Sequence, residues 1–369
     1  MKSKYQNLIV ITLIFLFLLS VIPAVLGKER KSYLISFIYS TEIDGKGFSN
    51  SKNGEYNVSF EATAYALQIL DYYGRNPHDK SLLTDNLKEN ITEMFDENNV
   101  NIFNLYFLLK SIDILDSIED SIDTTLKDRI SGYLNQTEQD GGFSISNASS
   151  SVSLSSTYFV IQIFSLINES VTIHKDINKH KSWILSCGNI DGGYGGNSSI
   201  SSNILNTYYA VFLINMLGTL DELVDKNQTL AYLKSFYISD SGDLTNYGGY
   251  LPVYLAKYAM LYSTFYCVNA IKLIDDEELN KSPTVNWVID HQNFIDGGFV
   301  DSTDGTEQKL SSVFNSFFAF ETLKAFNSLS KLKEEVWMIE FNYWILIGLL
   351  GGIGLTILLI YFVWRKRRV

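Results

Sequence analysis

The chain is poor in the residues that most often build disulfide frameworks and metal centres. Cys187 and Cys267 are its only two cysteines, and they lie in different parts of the sequence. Their spacing leaves open whether they form one disulfide or remain two buried thiols. The four histidines have no metal-ligand spacing among them: His78, His174, His180 and His291. Neither a metal site nor a cofactor is therefore predicted from these residues.

Basic residues are also scarce, with 29 Lys and Arg against 41 Asp and Glu and a net charge of −12. The first 27 residues carry two lysines and residues 339–369 carry a net charge of +3, so the middle of the chain carries −17. A surface with this excess of negative charge repels nucleic acid and favours cationic partners. The composition therefore predicts no nucleic-acid partner.

Both ends of the chain differ from its middle. Residues 8–26 are almost all apolar, follow Lys2 and Lys4, and lead to a small residue, which is typical of a secretory signal. Residues 1–27 are therefore predicted to be a signal peptide, with an uncleaved N-terminal anchor as the alternative. From Trp344 to Trp364 the chain has 21 uncharged, mostly apolar residues, which is long enough to cross a bilayer.

The C-terminal apolar segment sets the predicted topology. A basic tail at residues 365–369 follows it, and the positive-inside rule places such a tail in the cytoplasm. The prediction is a single-pass protein of the cell membrane, with an exported region at 28–338 and a transmembrane helix at 343–364. Gly348 and Gly352 have the spacing that pairs transmembrane helices, so dimerisation through them is an open alternative. N-x-S/T sequons in the exported region permit glycosylation.

A repeat of about fifty residues runs through the exported region. Its glycine-aromatic turns are DGKGF at 44–48, a degenerate turn near Phe95, DGGF at 140–143, DGGY at 191–194, YGGY at 247–250 and DGGF at 296–299. An apolar segment such as TYYAVFLINML at 207–217 follows each turn, and an amphipathic segment precedes it. A segment that is apolar on every side predicts a buried helix, and an amphipathic segment predicts a surface helix.

Six helical hairpins close most simply as an all-α structure, an α/α toroid. We expect about twelve helices in two concentric rings, with the apolar helices inside. An open solenoid is the alternative, but it would need polar capping repeats at its ends. Neither the first nor the last repeat has that character, so the closed ring is favoured.

The repeats resemble those of protein prenyltransferase β subunits. The similar strings are Q-x-x-x-DGGF at Gln292–Phe299, W-I-L at 183–185 before DGGYGG, and T-Y-Y-A at Thr207–Ala210. Squalene–hopene-type cyclases share this style of repeat, and the resemblance covers about residues 33–329. It implies the terpenoid cyclase/protein prenyltransferase fold, while chemistry depends on sites added to that fold.

The chemical residues that this resemblance implies are missing at the matching positions. Prenyltransferase β subunits hold zinc with an Asp and a Cys in a D-x-C-Y-S string and with a His in an H-T-x-Y string. The matching residues here are Ala259, Leu261 and Asn315. The DxDD string of the cyclases and the GCGEQ string of complement-like thioester domains do not occur either. The resemblance therefore implies the fold without these three activities.

Two carboxylates remain as candidates for catalysis. Glu61 begins the first inner helix and Glu321 lies in the last, and a closed ring brings the first and last repeats side by side. A carboxylate pair is what a ring-shaped glycan hydrolase would need. The simpler interpretation is that the helix dipole stabilises Glu61 and that Glu321 faces water. Asp301 and Asp304 are interpreted as part of a solvated turn, with a calcium loop as the alternative.

The predicted lining of the ring is aromatic, with amides nearby. The starts of the inner helices supply these cavity residues: Tyr65, Asn104, Tyr158, Asn206, Tyr208, Tyr262 and Asn315. Such side chains suit an isoprenoid, lipid or glycan ligand, and they equally suit a packed core. The predicted function is a membrane-anchored, extracytoplasmic, non-catalytic module that binds a protein, a glycan or an isoprenoid-like ligand. The alternative is an enzyme of the terpenoid-cyclase/prenyltransferase superfamily or a ring-shaped glycan hydrolase.

Overall fold

The computed structural model describes residues 27–52, 57–168, 176–293, 295–301 and 310–336. The chain divides into two compact units, one from Lys31 to Lys333 and one formed by the two chain ends. In the second unit Lys28–Glu29 pairs antiparallel with Glu335–Val336. No helix in the described ranges has both the length and the apolar character that a bilayer span requires. Residues 1–26 of the predicted signal peptide and the predicted span at 343–364 lie outside the described residues.

Thirteen α-helices, three short 3-10 helices and seven short strands make up the regular structure of the described part. The helices are α1 (Arg30–Ser40), α2 (Phe60–Tyr72), α3 (Lys80–Asp96), α4 (Ile102–Leu115), α5 (Ile118–Ser121), α6 (Thr124–Gln136), α7 (Leu154–Leu166), α8 (Ile177–Ser186), α9 (Ile204–Leu217), α10 (Lys226–Lys234), α11 (Leu261–Ile274), α12 (Lys281–Asp290) and α13 (Val313–Ala325). The strands are β1 (Lys28–Glu29), β2 (Glu42–Ile43), β3 (Gly47–Phe48), β4 (Glu138–Gln139), β5 (Gly142–Ser144), β6 (Val152–Ser153) and β7 (Glu335–Val336). In the helical unit β2 pairs with β3, and β4, β5 and β6 form a three-stranded antiparallel sheet.

Six helices form a closed inner ring: α2, α4, α7, α9, α11 and α13. Each packs against the next in sequence order, and α13 packs against α2. Outer helices pack against them, with α3 on α4, α8 on α9, α10 on α11 and α12 on α13. The predicted toroid is therefore confirmed, and the open solenoid is not observed in the unit from Lys31 to Lys333.

Direct contacts join the last repeat to the first. The backbone N–H of Val313 donates to the carbonyl of Asn50 at 2.8 Å, and the N–H of Phe314 donates to Asn50 Oδ1 at 3.1 Å. Gly297 has a φ of 88°, and a Cβ atom there would lie 2.6 Å from the backbone oxygen of Tyr33 in α1. Because only glycine tolerates both conditions, it lets the last turn approach the first helix.

One side-chain position couples each turn to the helix that follows it. The N–H of Phe143, at the end of a DGGF turn, donates to Thr157 Oγ1 at 2.9 Å. Thr157 Oγ1 donates in turn to the carbonyl of Ser153, just before α7, at 2.9 Å. The second repeat has Leu105 at this position, in keeping with its degenerate turn. Four other inner helices use their fourth residue in the same way: Thr63, Thr207, Thr264 and Ser316.

Capping side chains fix where the inner helices begin. Five of the six helices follow a residue whose side chain accepts a first-turn N–H: Ser59, Asn101, Ser153, Asn203 and Ser312. Helix α11 follows Met260, which cannot cap, and Asp301 from the next repeat accepts the N–H of Leu261 at 2.8 Å instead. These acceptors satisfy N–H groups that a helix start would otherwise leave unpaired.

The two cysteines are buried and free. Cys187 follows α8 directly and Cys267 lies within α11. Of the two alternatives left open by the sequence, the structure therefore has two buried thiols rather than a disulfide.

Candidate functional site

The sixth residue of every inner helix is aromatic, and the six rings form a closed circle. In sequence order they are Tyr65, Phe107, Phe159, Tyr209, Tyr266 and Phe318. Each ring contacts the rings on both neighbouring helices, with centroids 5.6 to 6.3 Å apart. Tilted and edge-on packing at these separations is favourable for aromatic pairs. We call these six residues the aromatic circle.

The fifth residues of the inner helices add further rings beside the aromatic circle. Five of the six are aromatic and the first is alanine: Ala64, Tyr106, Tyr158, Tyr208, Phe265 and Phe317. The ring of Phe317 stacks on that of Tyr65 with centroids 3.8 Å apart. Ala64 has only a methyl group at the position where the other helices carry a ring, which leaves room for this close stack across the closure of the inner ring.

Glu61 faces the space that the inner helices enclose. It is the second residue of α2 and lies one turn before Tyr65 on the same helix face. Its half-buried carboxylate accepts a hydrogen bond from the Tyr65 hydroxyl. Burial raises the pKa of Glu61, and the bond from Tyr65 lowers it by less. Burial also raises the pKa of Tyr266, and the charge of Glu61 raises it further. Glu61 is in α2 and Tyr266 is in α11, which are separated in the inner ring by α13.

Glu321 lies on the other side of the aromatic circle. It follows Phe318 by three residues, whereas Glu61 precedes Tyr65 by four. Tyr65 and Phe318 are in contact at 5.9 Å. At a rise of 1.5 Å per residue, the two carboxylates are therefore separated by about 10 Å along the ring axis. Glu321 is paired instead with Lys324, whose Nζ lies 2.9 Å from its Oε1.

The predicted tyrosines come together in the structure. Tyr65 belongs to the aromatic circle, and its ring lies edge-on to Phe107 at 5.6 Å. Tyr158 and Tyr208 are fifth residues whose ring centroids lie 6.2 Å apart. Tyr262 is the second residue of α11, the position that Glu61 has in α2, and its side chain is half-buried. These four side chains all lie at second, fifth or sixth positions of inner helices.

The predicted amides have other surroundings. Asn104, Asn206 and Asn315 are all third residues of their helices. Asn104 is exposed, and Asn206 is buried with its Nδ2 3.6 Å from where a Cβ atom of Gly196 would lie. Asn315 hydrogen-bonds to Asp301. The two buried or half-buried amides therefore contact loops that precede the inner helices, and none belongs to the aromatic circle.

Most of the aromatic circle is not among the residues predicted from the sequence, which include only Tyr65. The signal is present in the sequence nonetheless. The fourth to sixth residues of the inner helices read TAY, LYF, TYF, TYY, TFY and SFF, and the last letter is aromatic every time. Choosing tyrosines near the helix starts finds this shared position only in the first inner helix. The missed residues are Phe107, Phe159, Tyr209, Tyr266 and Phe318.

The prediction that Asp301 lies in a solvated turn is wrong. Its carboxylate is half-buried, accepts the N–H of Leu261 at 2.8 Å and hydrogen-bonds the side chain of Asn315. Burial raises the pKa of Asp301, and these two hydrogen bonds lower it by less. The sequence cannot reveal this role because the capped helix begins 40 residues earlier in the chain.

Comparison with known families agrees with the repeat and with the closed inner ring. A family model described as the prenyltransferase alpha-alpha toroid domain matches residues 2–98, 78–181, 147–250 and 250–342. The chain belongs to the prenyltransferase alpha-alpha toroid family. No curated protein matches the sequence.

Several solved structures have a similar fold to this family member. Protein geranylgeranyltransferase-I of Candida albicans, complexed with GGPP, is 16% identical, with a TM-score of 0.59 over 78% of this chain and 90% of that chain. The type II terpene cyclase MstE of Scytonema, in a variant complexed with its substrate geranylgeranyl dihydroxybenzoate, is 10% identical, with a TM-score of 0.50 over 82% and 96%. The GH76A alpha-1,6-mannanase of Salegentibacter sp. HEL1_6 is 14% identical, with a TM-score of 0.51 over 81% and 98%. At these identities the likeness concerns the fold alone.

The residues at the positions implied for zinc do not fit a zinc ion. Ala259 and Leu261 are fully buried and have no donor atom in their side chains. The side chain of Asn315 is hydrogen-bonded to Asp301. Among the described residues, no group of three or more His, Cys, Asp or Glu side chains could hold a metal ion. A prenyltransferase-type zinc centre therefore has no ligand set at these positions.

Proposed function

We propose that this protein is a membrane-anchored, extracytoplasmic toroid that binds a lipid-like ligand of the isoprenoid type at its aromatic circle, without catalysing a reaction on it. The observation that carries the proposal is the aromatic circle, to which all six inner helices contribute a ring at the same position. Aliphatic side chains of similar volume would fill a core equally well. Aromatic rings add broad, flat apolar faces of the kind that line ligand sites.

The ring has a side from which a ligand could enter. The second residues of the inner helices, one turn before the aromatic circle, are all half-buried: Glu61, Phe103, Ser155, Leu205, Tyr262 and Phe314. We call this end of the inner ring the mouth. Its lining is mainly apolar with a few polar groups, which is the usual composition of a small-molecule site.

The structural neighbours support a ligand of this type. The geranylgeranyltransferase structure contains GGPP, and the terpene cyclase structure contains a geranylgeranyl-bearing substrate. Membrane anchoring rests on the apolar run from Trp344 to Trp364 and its basic tail. An anchored protein would meet a lipid-like ligand at the bilayer where such ligands reside.

Two observations favour binding over catalysis. The positions implied for zinc do not fit a metal ion, as Ala259 and Leu261 show. The candidate carboxylates Glu61 and Glu321 lie on opposite sides of the aromatic circle, about 10 Å apart along the axis. Glycan hydrolysis needs two carboxyl groups that flank one bond, about 5 to 10 Å apart with no wall between them. The glycan hydrolase alternative is therefore less favoured, although a mannanase shares the fold.

Native mass spectrometry of the full chain in detergent tests the proposal, with geranylgeraniol as the probe. Ser155→Trp places a large ring at the mouth, one turn before Phe159, and should weaken binding at least tenfold. Ser186→Trp is the matched control, because Ser186 is exposed at the end of outer helix α8. It should leave binding unchanged. Both variants should keep the unfolding temperature of the parent protein within a few degrees.

Other outcomes would contradict the proposal. If geranylgeraniol does not bind, or if the two tryptophan variants bind it equally well, the mouth is not the ligand site. If the protein converts geranylgeranyl diphosphate or a mannan to products, the non-catalytic part is wrong. Protease treatment of sealed vesicles should digest the toroid from outside and leave the tail after Trp364 protected, and the reverse pattern would contradict the topology.

A further inference from the structure

Two carboxylates of the described residues lie at the mouth, Glu61 in α2 and Asp301 beside the start of α11. Between the mouth and the aromatic circle, each inner helix presents its second, fifth and sixth residues. We call these three positions levels. Across all six helices, each of which lies in the described part, Glu61 is the one ionisable acid or base at these levels besides tyrosine. Lys110, the lumen-side lysine of α4, is a ninth residue beyond the aromatic circle and pairs with Asp113 at 3.2 Å.

Helix N-termini at the mouth are capped, which reduces what they offer to an anion. Six inner helices begin there, and free first-turn N–H groups would attract a phosphate. In this protein side chains already accept first-turn N–H groups in every inner helix, five through their own caps and α11 through Asp301. Glu61 also adds a negative charge to the first turn of α2, where the helix dipole stabilises it.

Building on the function above, we propose from this arrangement that the polar end of the ligand is a hydroxyl or an ammonium group and not an anion. This end donates a hydrogen bond to the carboxylate of Glu61. The Tyr65 hydroxyl, which donates to Glu61, orients the carboxylate beside the aromatic circle. The apolar part of the ligand contacts the rings. A diphosphate is rejected because its charge would meet the Glu61 carboxylate in a partly water-free site with no lysine or arginine at the same levels.

Three probes with the same hydrocarbon chain separate the possibilities: geranylgeraniol, geranylgeranylamine and geranylgeranyl diphosphate. Each is titrated into the full chain in detergent at pH 7.5, and dissociation constants are measured by calorimetry. We expect the alcohol and the amine to bind at least tenfold more tightly than the diphosphate. In Glu61→Gln the amine should weaken at least tenfold and the diphosphate should tighten at least threefold. The alcohol should change less, because the Gln amide oxygen still accepts a hydrogen bond.

Two matched variants locate the effect. Glu89→Gln removes an exposed carboxylate on outer helix α3, and Glu321→Gln removes the carboxylate beyond the aromatic circle. Neither should change the order of the three probes. Tyr65→Phe removes the hydroxyl that orients Glu61, and it should weaken the alcohol and the amine by severalfold. This variant also keeps the test decisive if Glu61→Gln lowers the unfolding temperature.

The results distinguish this inference from the proposed function. If the diphosphate binds as tightly as the alcohol, or if Glu321→Gln has the effect expected of Glu61→Gln, the assignment of the polar end to Glu61 is wrong while the binding function stands. If none of the three probes binds, the binding function itself is wrong. If the amine and the alcohol bind more tightly than the diphosphate, and this preference shrinks in Glu61→Gln and Tyr65→Phe but not in Glu89→Gln or Glu321→Gln, both are upheld.

Discussion

The ring of Tyr65 in the first inner helix lies parallel to that of Phe317 in the last, with centroids 3.8 Å apart and an interplanar angle of 4°. This stack therefore lies where the inner ring closes. A double-mutant cycle with Tyr65→Leu and Phe317→Leu should give a coupling energy of about 0.5–1.5 kcal/mol in chemical unfolding of the full chain. The same cycle with Phe317→Leu and Phe236→Leu, in different layers, should be additive within about 0.5 kcal/mol. Equal couplings in the two cycles would show that the stack does not stabilise the closure.

The hydroxyl of Thr157 should stabilise the fold more than an ordinary helix threonine does. It accepts the N–H of Phe143 and donates to the carbonyl of Ser153. Thr157→Val keeps the shape but leaves the buried N–H of Phe143 unpaired, which should cost about 1–3 kcal/mol of unfolding free energy. Thr92→Val is the control, since Thr92 is exposed and bonds only the Lys88 carbonyl in its own helix. A change there should stay within about 0.5 kcal/mol, and a similar loss in both variants would contradict the role of Thr157.

These couplings explain why so much of the fold is predictable from the sequence. Three features of the sequence indicate a closed ring: the regular period of the turns, the helices that are apolar on every side, and the lack of polar capping repeats at the two ends. All three can be read from local stretches of the sequence. The bond from each turn to the fourth residue of the next helix is the physical reason why turn and helix recur together. The second repeat confirms this connection, since it lacks both a regular turn and the hydroxyl, with Leu105 in its place.

The candidate site is less predictable because its geometry depends on contacts between distant segments. The prediction that the tyrosines near the helix starts belong to the inner ring is correct. The amides Asn206 and Asn315 are third residues of their helices, and their side chains contact loops instead. Asp301 looks like a turn residue in sequence and caps a helix that begins 40 residues earlier. The separation of Glu61 and Glu321 along the ring axis depends on how α2 and α13 are aligned. The contact between the rings of Tyr65 and Phe318 defines this alignment, and the order of the residues in the sequence does not.

Both cysteines should be unreactive in the folded protein. Burial raises the pKa of the Cys187 thiol to about 11, a change that the Ser186 side chain only partly offsets, and it also raises the pKa of Cys267. Because the thiolate is the reactive form, iodoacetamide at pH 8 should label neither cysteine in the native full chain. Both should be labelled in guanidinium chloride without a reducing agent, and mass spectrometry should then show two adducts. Labelling of fewer than two in the denatured, unreduced protein would indicate a disulfide that the structure does not contain.

Glu61→Gln should change how stability depends on pH, in a direction that burial determines. The pKa of Glu61 is raised from 4.5 in the folded state, first by burial and against a smaller opposing effect of the Tyr65 bond. A carboxyl whose pKa is higher when folded binds its proton more tightly in the native state. Stability from this group is therefore greatest below the unfolded pKa and falls as the pH rises through the folded pKa.

The variant has no proton to lose at this position, so its unfolding free energy relative to the parent should rise as the pH increases from about 4 and level off above the folded pKa. Chemical unfolding of both proteins between pH 3.5 and 8 measures this difference directly. Glu89→Gln, which removes an exposed carboxylate on outer helix α3, is the control against which this difference is compared. A difference for Glu61→Gln that falls with pH would mean that hydrogen bonding to the ionised carboxylate outweighs its burial. Glu61 would then be a stabilised anion in the free protein, and the direction of its pKa shift would have to be reversed.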